Sequence, residues 1–406
     1  MEKTATGLVG SFFFFAYGAG QIVNGLLCQH YPKKYVLSGA AVISALLNLT
    51  VFLGIDFRFY KVLWLLNGAA TSVFWSSLML VLGENVSRAK LRRAVLMMAT
   101  TVPLGTLISY SLSALFAKVG VPFQYSFLFG GAMLVIAGAV WFFSYERCLT
   151  KDKSILEEDD KPAKAKTAMH TKAFTESVLV VITVLCVFAV ITNLMKDGLN
   201  TWLPTILKDS FRLDDSSSLI FTLVLPVFGV LGSTFAMAMN KKIKNFIILD
   251  SIFIVGAGVF CAVALWLLTA NVAVLLAVIC GLIFLLVSAS NNVITSMAPL
   301  YLRGKINSGL IAGILNGFCY VGSTLSSYGL GYVALHSGWS GVFKLLIALA
   351  VFVAIVCIGY SVSLIVRRKE AAHVEAEELA RIERAQHMEE QEEWADNGVH
   401  SADVRK

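Results

Sequence analysis

Eleven apolar runs, each long enough to cross a lipid bilayer as a helix, constrain this chain more than any other feature. A hydrocarbon core about 30 Å thick needs about 20 helical residues. Backbone polar groups cannot stay unpaired in lipid, and the short alternating segments of a membrane barrel are absent from the sequence, so the runs predict an all-α polytopic membrane protein. The runs lie near residues 5–28, 35–55, 60–82, 93–116, 125–145, 177–206, 217–239, 246–268, 271–298, 306–335 and 341–366.

The composition excludes a water-soluble globule. Apolar residues make up 57% of the 406 and charged residues only 15%, whereas a soluble domain is about a quarter charged. The seven cysteines are spaced singly and form no Cys/His cluster, so the sequence predicts neither a metal site nor a cofactor. The net charge of +7 belongs to loops beside anionic lipid and does not indicate nucleic acid as a partner.

Lysine and arginine fall mainly in alternate loops, which predicts an orientation. One set of loops, together with the C-terminal tail, carries 25 of the 33 basic residues, and the opposite set carries seven. Cytoplasmic loops hold such an excess, so we expect the tail to be cytoplasmic and Met1 to lie outside. The expected location is the plasma membrane, which in a bacterium is the inner membrane.

A polar linker at 146–175 divides the chain into unequal parts. Five spans precede it in an N-terminal bundle, 1–145, and six follow it in a C-terminal bundle, 176–366, before the charged tail, 367–406. Shifting the second bundle back by about 217 residues superposes the last two spans of each bundle. The repeat therefore predicts two six-helix units, of which the first lacks its first helix, with the natural start of that unit expected upstream of Met1.

Three segments carry a family resemblance: FFFFAYGAGQIVNGLL near the start, MKDGLNTWLPTIL at 195–207, and GLIAGILNGFCYVGSTLSSYGLGYVALHSGW at 309–339. They resemble the organophosphate:phosphate antiporters, the glycerol-phosphate and hexose-phosphate branch of the major facilitator superfamily. The resemblance implies twelve helices in two parallel repeats, alternating access around a midplane cavity, and exchange of an organic phosphate for phosphate.

The resemblance also implies which site residues differ. The branch binds phosphate with one arginine on its first helix and one on its seventh; the first helix is absent here and Lys196 takes the seventh-helix position. A second-helix lysine corresponds to Gln21, and a fifth-helix histidine corresponds to Thr100. Lysine is a point charge without the bidentate fork of arginine, so the implied preference for phosphate is weakened.

One pair of ionisable residues inside a span stands out, Lys196 and Asp197 in ITNLMKDGLNTW. Charges inside a membrane are costly, so each is by default a functional candidate. In the functional interpretation Lys196 anchors an anionic solute, while Asp197 holds the lysine charge or titrates during coupling. In the alternative, Lys196 lies near the outer interface and its side chain snorkels to water.

Neutral polar residues complete the candidate site. Tyr17 and Gln21 lie one turn apart on the first span, so they share a helix face that suits a cavity wall. Asn291 and Asn316 offer donors and acceptors on later spans. For all four residues the alternative is hydrogen bonding between packed helices.

These features predict a secondary transporter for a small organic anion, such as a phosphorylated sugar or an organic acid. It is expected to be monomeric and not an enzyme, because the sequence holds no phosphate loop, no intramembrane histidine and no nucleophile–base pair. Coupling is either phosphate exchange or proton symport through Asp197. The alternative function is a membrane solute sensor that kept the fold but does not transport.

Overall fold

A computed structural model describes residues 3–85, 88–149, 172–301 and 308–403 of the chain. Helices occupy most of these residues and no strand occurs among them, which confirms the predicted all-α class. Most of the predicted linker at 146–175 lies outside the described residues, because the description stops at 149 and resumes at 172.

Helices follow one another closely along both parts of the chain. The first part contains α1 (Lys3–Leu27), α2 (Lys33–Phe52), α3 (Tyr60–Thr71), α4 (Val73–Asn85), α5 (Arg88–Val119) and α6 (Gln124–Leu149). The second part contains α7 (Lys172–Phe211), α8 (Asp215–Thr222), α9 (Val224–Lys242), α10 (Phe246–Ala270), α11 (Ala273–Asn292), α12 (Ala298–Tyr301) and α13 (Ser308–Asp403). A π-helical turn, Val293–Met297, continues α11.

Ten helical segments of the described chain are long and apolar enough to cross a membrane. Helices α3 and α4 together form one of these segments, and α8 and α9 form another. The last segment, Gly313–Val366, has 54 residues, about 80 Å at 1.5 Å per residue and enough for two crossings. Its backbone leaves helical geometry at Gly338, whose φ is 67°. The predicted total of eleven spans stays a prediction.

The chain divides into two compact units, Met1–Val353 and Ala354–Lys406. The second unit is the end of α13, which presents apolar side chains such as Ile355, Ile358 and Ile365 at its surface. All further contacts described below lie within the first unit.

Short polar caps start two helices of the second part. The Asn245 side chain accepts hydrogen bonds from the backbone N–H groups of Ile247 and Ile248, at 3.0 and 3.2 Å. The Asp214 carboxylate accepts one from Ser217 N–H at 3.1 Å. These oxygens satisfy N–H groups that have no partner within a helix, and so they fix where α10 and α8 begin.

Helix α1 packs lengthwise against α13, and small residues allow the close approach. The Ser11 hydroxyl donates to the Thr324 carbonyl oxygen at 2.6 Å. A Cβ atom added to Gly7 would lie 2.2 Å from the Ser327 carbonyl oxygen, so only glycine fits there. Further along, the backbone of Gly18 meets the Tyr320 side chain. This contact joins the first part of the chain to the second.

A second junction between the two parts of the chain involves α5. The Tyr110 hydroxyl donates to the Asn200 carbonyl oxygen on α7 at 2.6 Å. The Ser216 hydroxyl on α8 donates to the Ala114 carbonyl oxygen at 3.0 Å. Both bonds lie in the half of α5 that leads to Val119, the end predicted to face outward.

Helices α7 and α13 approach closely at Gly322. A Cβ atom there would lie 2.1 Å from the Val190 carbonyl oxygen and 3.0 Å from the Leu194 nitrogen, both of them backbone atoms on α7. Backbone cannot give way as a flexible side chain does. This approach sets the distance between the two helices that carry most of the polar residues described below.

Replacing Gly322 by alanine should therefore destabilise the protein. We expect Gly322→Ala to lower the free energy of unfolding by about 1–3 kcal/mol, the usual cost of forcing an extra carbon into a packed interface. Thermal unfolding of the protein in detergent measures the change. The control is Gly313→Ala on the same helix, where an added Cβ would meet no described atom within 4 Å. Equal melting temperatures for the two variants would contradict this packing.

Candidate functional site

Lys196 and Asp197 lie in the middle of a membrane span. The apolar part of α7 runs from Leu179 to Phe211, so Lys196 stands 17 residues from one end and 15 from the other, roughly 22 Å from the nearer end. This 33-residue segment is longer than the about 20 residues that cross a bilayer. The choice between an anchoring Lys196 and one that snorkels to the interface therefore stays a prediction.

The two charges form a pair that is largely removed from solvent. Lys196 Nζ lies 3.4 Å from Asp197 Oδ1, and the side chains are 25% and 17% exposed. The Ser323 hydroxyl of α13 donates a hydrogen bond to the other oxygen, Asp197 Oδ2. Asp197 is thus bound on both sides, and the pair is tied to the helix that α1 also contacts.

An amide cluster lies beside this pair. Asn291 Nδ2 of α11 donates to Asn193 Oδ1 of α7 at 3.2 Å, and the same nitrogen lies 3.8 Å from Cys319 Sγ of α13. Asn193 in turn donates to the Ala189 carbonyl oxygen at 3.1 Å. Three helices therefore converge on one group of polar side chains. We call it the central polar cluster, and its members are Asn193, Lys196, Asp197, Asn291, Cys319 and Ser323.

The structure places Tyr17 against the same helix as the central polar cluster. The Tyr17 ring lies 4.7 Å, centroid to centroid, from the ring of Tyr320, the residue after Cys319. The Phe13 ring stacks on Tyr17 at 5.9 Å. Tyr17 and Lys196 thus approach α13 from different parts of the chain, as a cavity between two bundles requires.

Gln21 is buried one turn along α1 from Tyr17. Its Oε1 accepts a hydrogen bond from the Ser76 hydroxyl of α4 at 3.0 Å. Its Nε2 is buried and has no hydrogen-bond partner among the described residues. The Tyr17 side chain also faces this amide, and the choice between solute binding and packing for Gln21 stays a prediction.

Two predicted site residues are not joined to the central polar cluster by any contact in the described chain. The Thr100 hydroxyl donates to the Met97 carbonyl oxygen of its own helix at 2.7 Å. Asn316 is half-buried on α13, one turn before Tyr320 on the same helix face. Their roles stay predictions.

One buried charge was not predicted. Asp250 on α10 has no exposed surface, and neither of its carboxyl oxygens has a hydrogen-bond partner in the described part of the chain. The signal was present in the sequence, because this aspartate lies inside the apolar run FIILDSIFIV. Its place near the start of the span makes it look like a flanking charge, which is where acidic residues are ordinarily tolerated.

The fold and site define a class of protein: a multi-pass membrane protein whose two helical parts meet around polar and charged side chains. This is the architecture of a secondary transporter. The family model of the Major Facilitator Superfamily matches residues 1–309, and the chain belongs to that superfamily. It is accordingly a membrane transporter and not an enzyme.

Solved structures agree with this assignment of the fold. The chain is similar to the nucleoside transporter NupG, with a TM-score of 0.66 and 12% identity over 88% of this chain and 91% of that one. It is also similar to a bacterial homologue of the human lysosomal transporter Spinster, in an inward-facing and occupied conformation. That match has a TM-score of 0.66 and 11% identity over 89% of both chains. No curated protein matches the sequence significantly.

A cysteine at position 196 should react with a charged thiol reagent from water. We expect Lys196→Cys to be labelled by a membrane-impermeant methanethiosulfonate sulfonate, because the side chain is partly exposed between the helices. Peptide mass spectrometry locates the label and separates it from the native cysteines. The control is Met195→Cys, since the neighbouring Met195 is fully buried. Labelling of position 195 but not 196 would contradict the described orientation of α7.

Proposed function

We propose that this transporter moves a small organic anion by alternating access, with Lys196 as the electrostatic anchor. The observation that carries the proposal is the long distance between the Lys196 ammonium group and its carboxylate partner. Among the described residues its partner is Asp197 at 3.4 Å, which is longer than the 2.7–2.9 Å of a charge-assisted hydrogen bond. The three N–H donors of Lys196 are therefore available to an anion.

Asp197 supports this role in two ways. It offsets part of the cost of holding a positive charge in the membrane when no solute is bound. Ser323 of α13 also donates a hydrogen bond to this carboxylate. Asp197 is therefore held against α13 when the ammonium group turns toward a solute. Titration of Asp197 during proton symport, the coupling role predicted from the sequence, stays a prediction.

The other predicted residues would serve as neutral contacts. Tyr17 and Gln21 face the solute from α1, and Asn291 and Asn316 face it from α11 and α13, while Thr100 would contribute from α5. The solute class is a phosphorylated sugar or an organic acid, as the resemblance to the organophosphate branch implies. A single lysine in place of two arginines favours carboxylates and monoesters bound through one oxygen.

The setting of this function follows from the charge pattern. We place the protein in the plasma membrane as a monomer, with the tail 367–406 in the cytoplasm. The bundles 1–145 and 176–366 would rock about the cavity, connected by the linker 146–175. The outer ends then close through the α1–α13 and α5–α8 contacts, which lie toward the predicted outer side.

Removing the anchor should abolish anion exchange. We expect Lys196→Ala to lower the counterflow of glycerol 3-phosphate, glucose 6-phosphate or citrate in proteoliposomes by about 30-fold or more, since losing one partner of a buried charge pair costs about 2–5 kcal/mol. The control is Lys208→Ala, an exposed lysine twelve residues further along α7 that pairs with Asp215.

Three results are decisive for this proposal. Loss of counterflow in Lys196→Ala but not in Lys208→Ala supports it. Undiminished counterflow in Lys196→Ala contradicts the anchor. If the wild type carries none of these anions, yet they raise its melting temperature, the protein is a sensor and the transport proposal fails.

Locking α1 to α13 should stop transport reversibly. The Ser11 hydroxyl lies 2.6 Å from the Thr324 carbonyl oxygen, so we expect a short bifunctional thiol reagent to cross-link Ser11→Cys to Thr324→Cys in a background without native cysteines. Cross-linked protein should lose counterflow, and a cleavable reagent should restore it after reduction. Each single cysteine variant is the control. Full activity of the cross-linked protein would show that these helices do not separate during the cycle.

A further inference from the structure

The carboxyl group of Asp250 is the most unusual polar group outside the central polar cluster. It is fully buried on α10, five residues after the Asn245 cap. Its neighbours on the helix, Leu249 and Phe253, belong to an apolar core shared with Ala289 and Val293. No lysine or arginine forms an ion pair with it among the described residues.

A pair of hydroxyl groups forms the polar side of the buried pocket around the Asp250 carboxyl group. Ser290 of α11 faces the carboxyl group, and its hydroxyl is bonded to that of Thr192 on α7 at 2.6 Å, with both residues fully buried. Thr192 and Ser290 directly precede Asn193 and Asn291 of the central polar cluster. The hydroxyl pair thus lies one residue along α7 and α11 from the amide pair of the central polar cluster.

Among the described residues, the Cys319 thiol of α13 is a titratable group that interacts with Asp250, and the Lys196–Asp197 pair of α7 interacts with the same thiol. The hydroxyls of Ser290 and Thr192 do not titrate. Among the described residues no cation pairs with Asp250, and its side chain has no exposed surface. An ionised carboxylate without water or a partner is costly, so these observations favour the protonated acid.

We propose that Asp250 is the proton-carrying residue of this transporter, holding a proton in the described conformation and releasing it when α7 moves away from α10 and α11. This inference rests on the proposed transport function. The O–H bond of the carboxylic acid breaks, its electron pair stays on the carboxylate, and the proton passes to water that enters from the Asn245 end of α10. In the return movement the carboxylate takes up a proton from water connected to the opposite side of the membrane, and the pocket then closes over the neutral acid.

Helix α7 links the two events. It carries Lys196, which meets the solute, and Thr192, whose hydroxyl bond to Ser290 closes the pocket over Asp250. A shift of α7 on solute binding would break that hydroxyl bond and admit water.

Proton-driven accumulation tests the role of Asp250 directly. For one proton per solute, wild-type proteoliposomes should concentrate the exchanged anion about tenfold for each pH unit imposed across the membrane. Asp250→Asn, which mimics the protonated acid in size and charge, should give no accumulation above equilibrium yet keep counterflow at equal pH. Asp197→Asn is the matched comparison, because it should weaken counterflow itself through the Lys196 pair.

The outcomes separate the two proposals. Counterflow absent from the wild type removes the transport proposal. Two results overturn the role of Asp250 and leave the transport proposal standing. In the first, counterflow is present but accumulation follows a sodium gradient and not a pH gradient. In the second, proton-driven accumulation is undiminished in Asp250→Asn.

Infrared spectroscopy decides the protonation state without any solute. Wild-type protein in lipid should show the carbonyl band of a protonated carboxylic acid that Asp250→Asn lacks and Asp197→Asn keeps. Ser290→Ala leaves the carboxyl group in place but removes the hydroxyl that faces it, so this variant should shift the band. It provides the test if Asp250→Asn does not fold. A band that no Asp250 or Ser290 substitution alters would overturn the proposal.

Discussion

The cost of holding a charge away from water governs this structure. An ammonium group at the middle of a span persists only if a partner compensates it, and Asp197 is that partner at 3.4 Å. The partner is in turn bound by Ser323 of α13, so the charge pair fixes how α7 and α13 face each other. The same cost underlies our proposal that Asp250, whose carboxyl oxygens have no hydrogen-bond partner among the described residues, keeps its proton.

Small residues make the rest of the arrangement possible. Apolar side chains gain little by leaving lipid for another helix, so helices in a membrane associate through close packing and hydrogen bonds. Gly7 and Gly322 bring α1 and α7 against the same stretch of α13, at Ser327 and Gly322. Helix α13 thereby contacts both parts of the chain, and the polar residues of α7 and the aromatic residues of α1 meet at it.

Much of the fold was predictable from the sequence because the bilayer imposes simple rules. Local sequence patterns are enough to predict the length of each span, the helical hydrogen bonding of the backbone N–H and C=O groups, and the position of Lys196 and Asp197. They do not predict the partners: Ser323 lies 126 residues from Asp197, and no local pattern indicates that contact. Asp250 needed a three-dimensional measure of burial, since its place in the second turn of α10 looks like an ordinary flanking charge. Thr100, inferred from the family resemblance alone, has no hydrogen bond to the central polar cluster among the described residues.

An experimental density map of the protein in a lipid nanodisc is the most direct test of the central claim, which is that a midplane ammonium group serves an aqueous cavity. We predict a water-filled passage between the two parts of the chain that reaches Lys196 Nζ, with Asp197 beside it and Ser323 behind. Density that places this nitrogen against acyl chains, with no passage leading to it, would contradict the account.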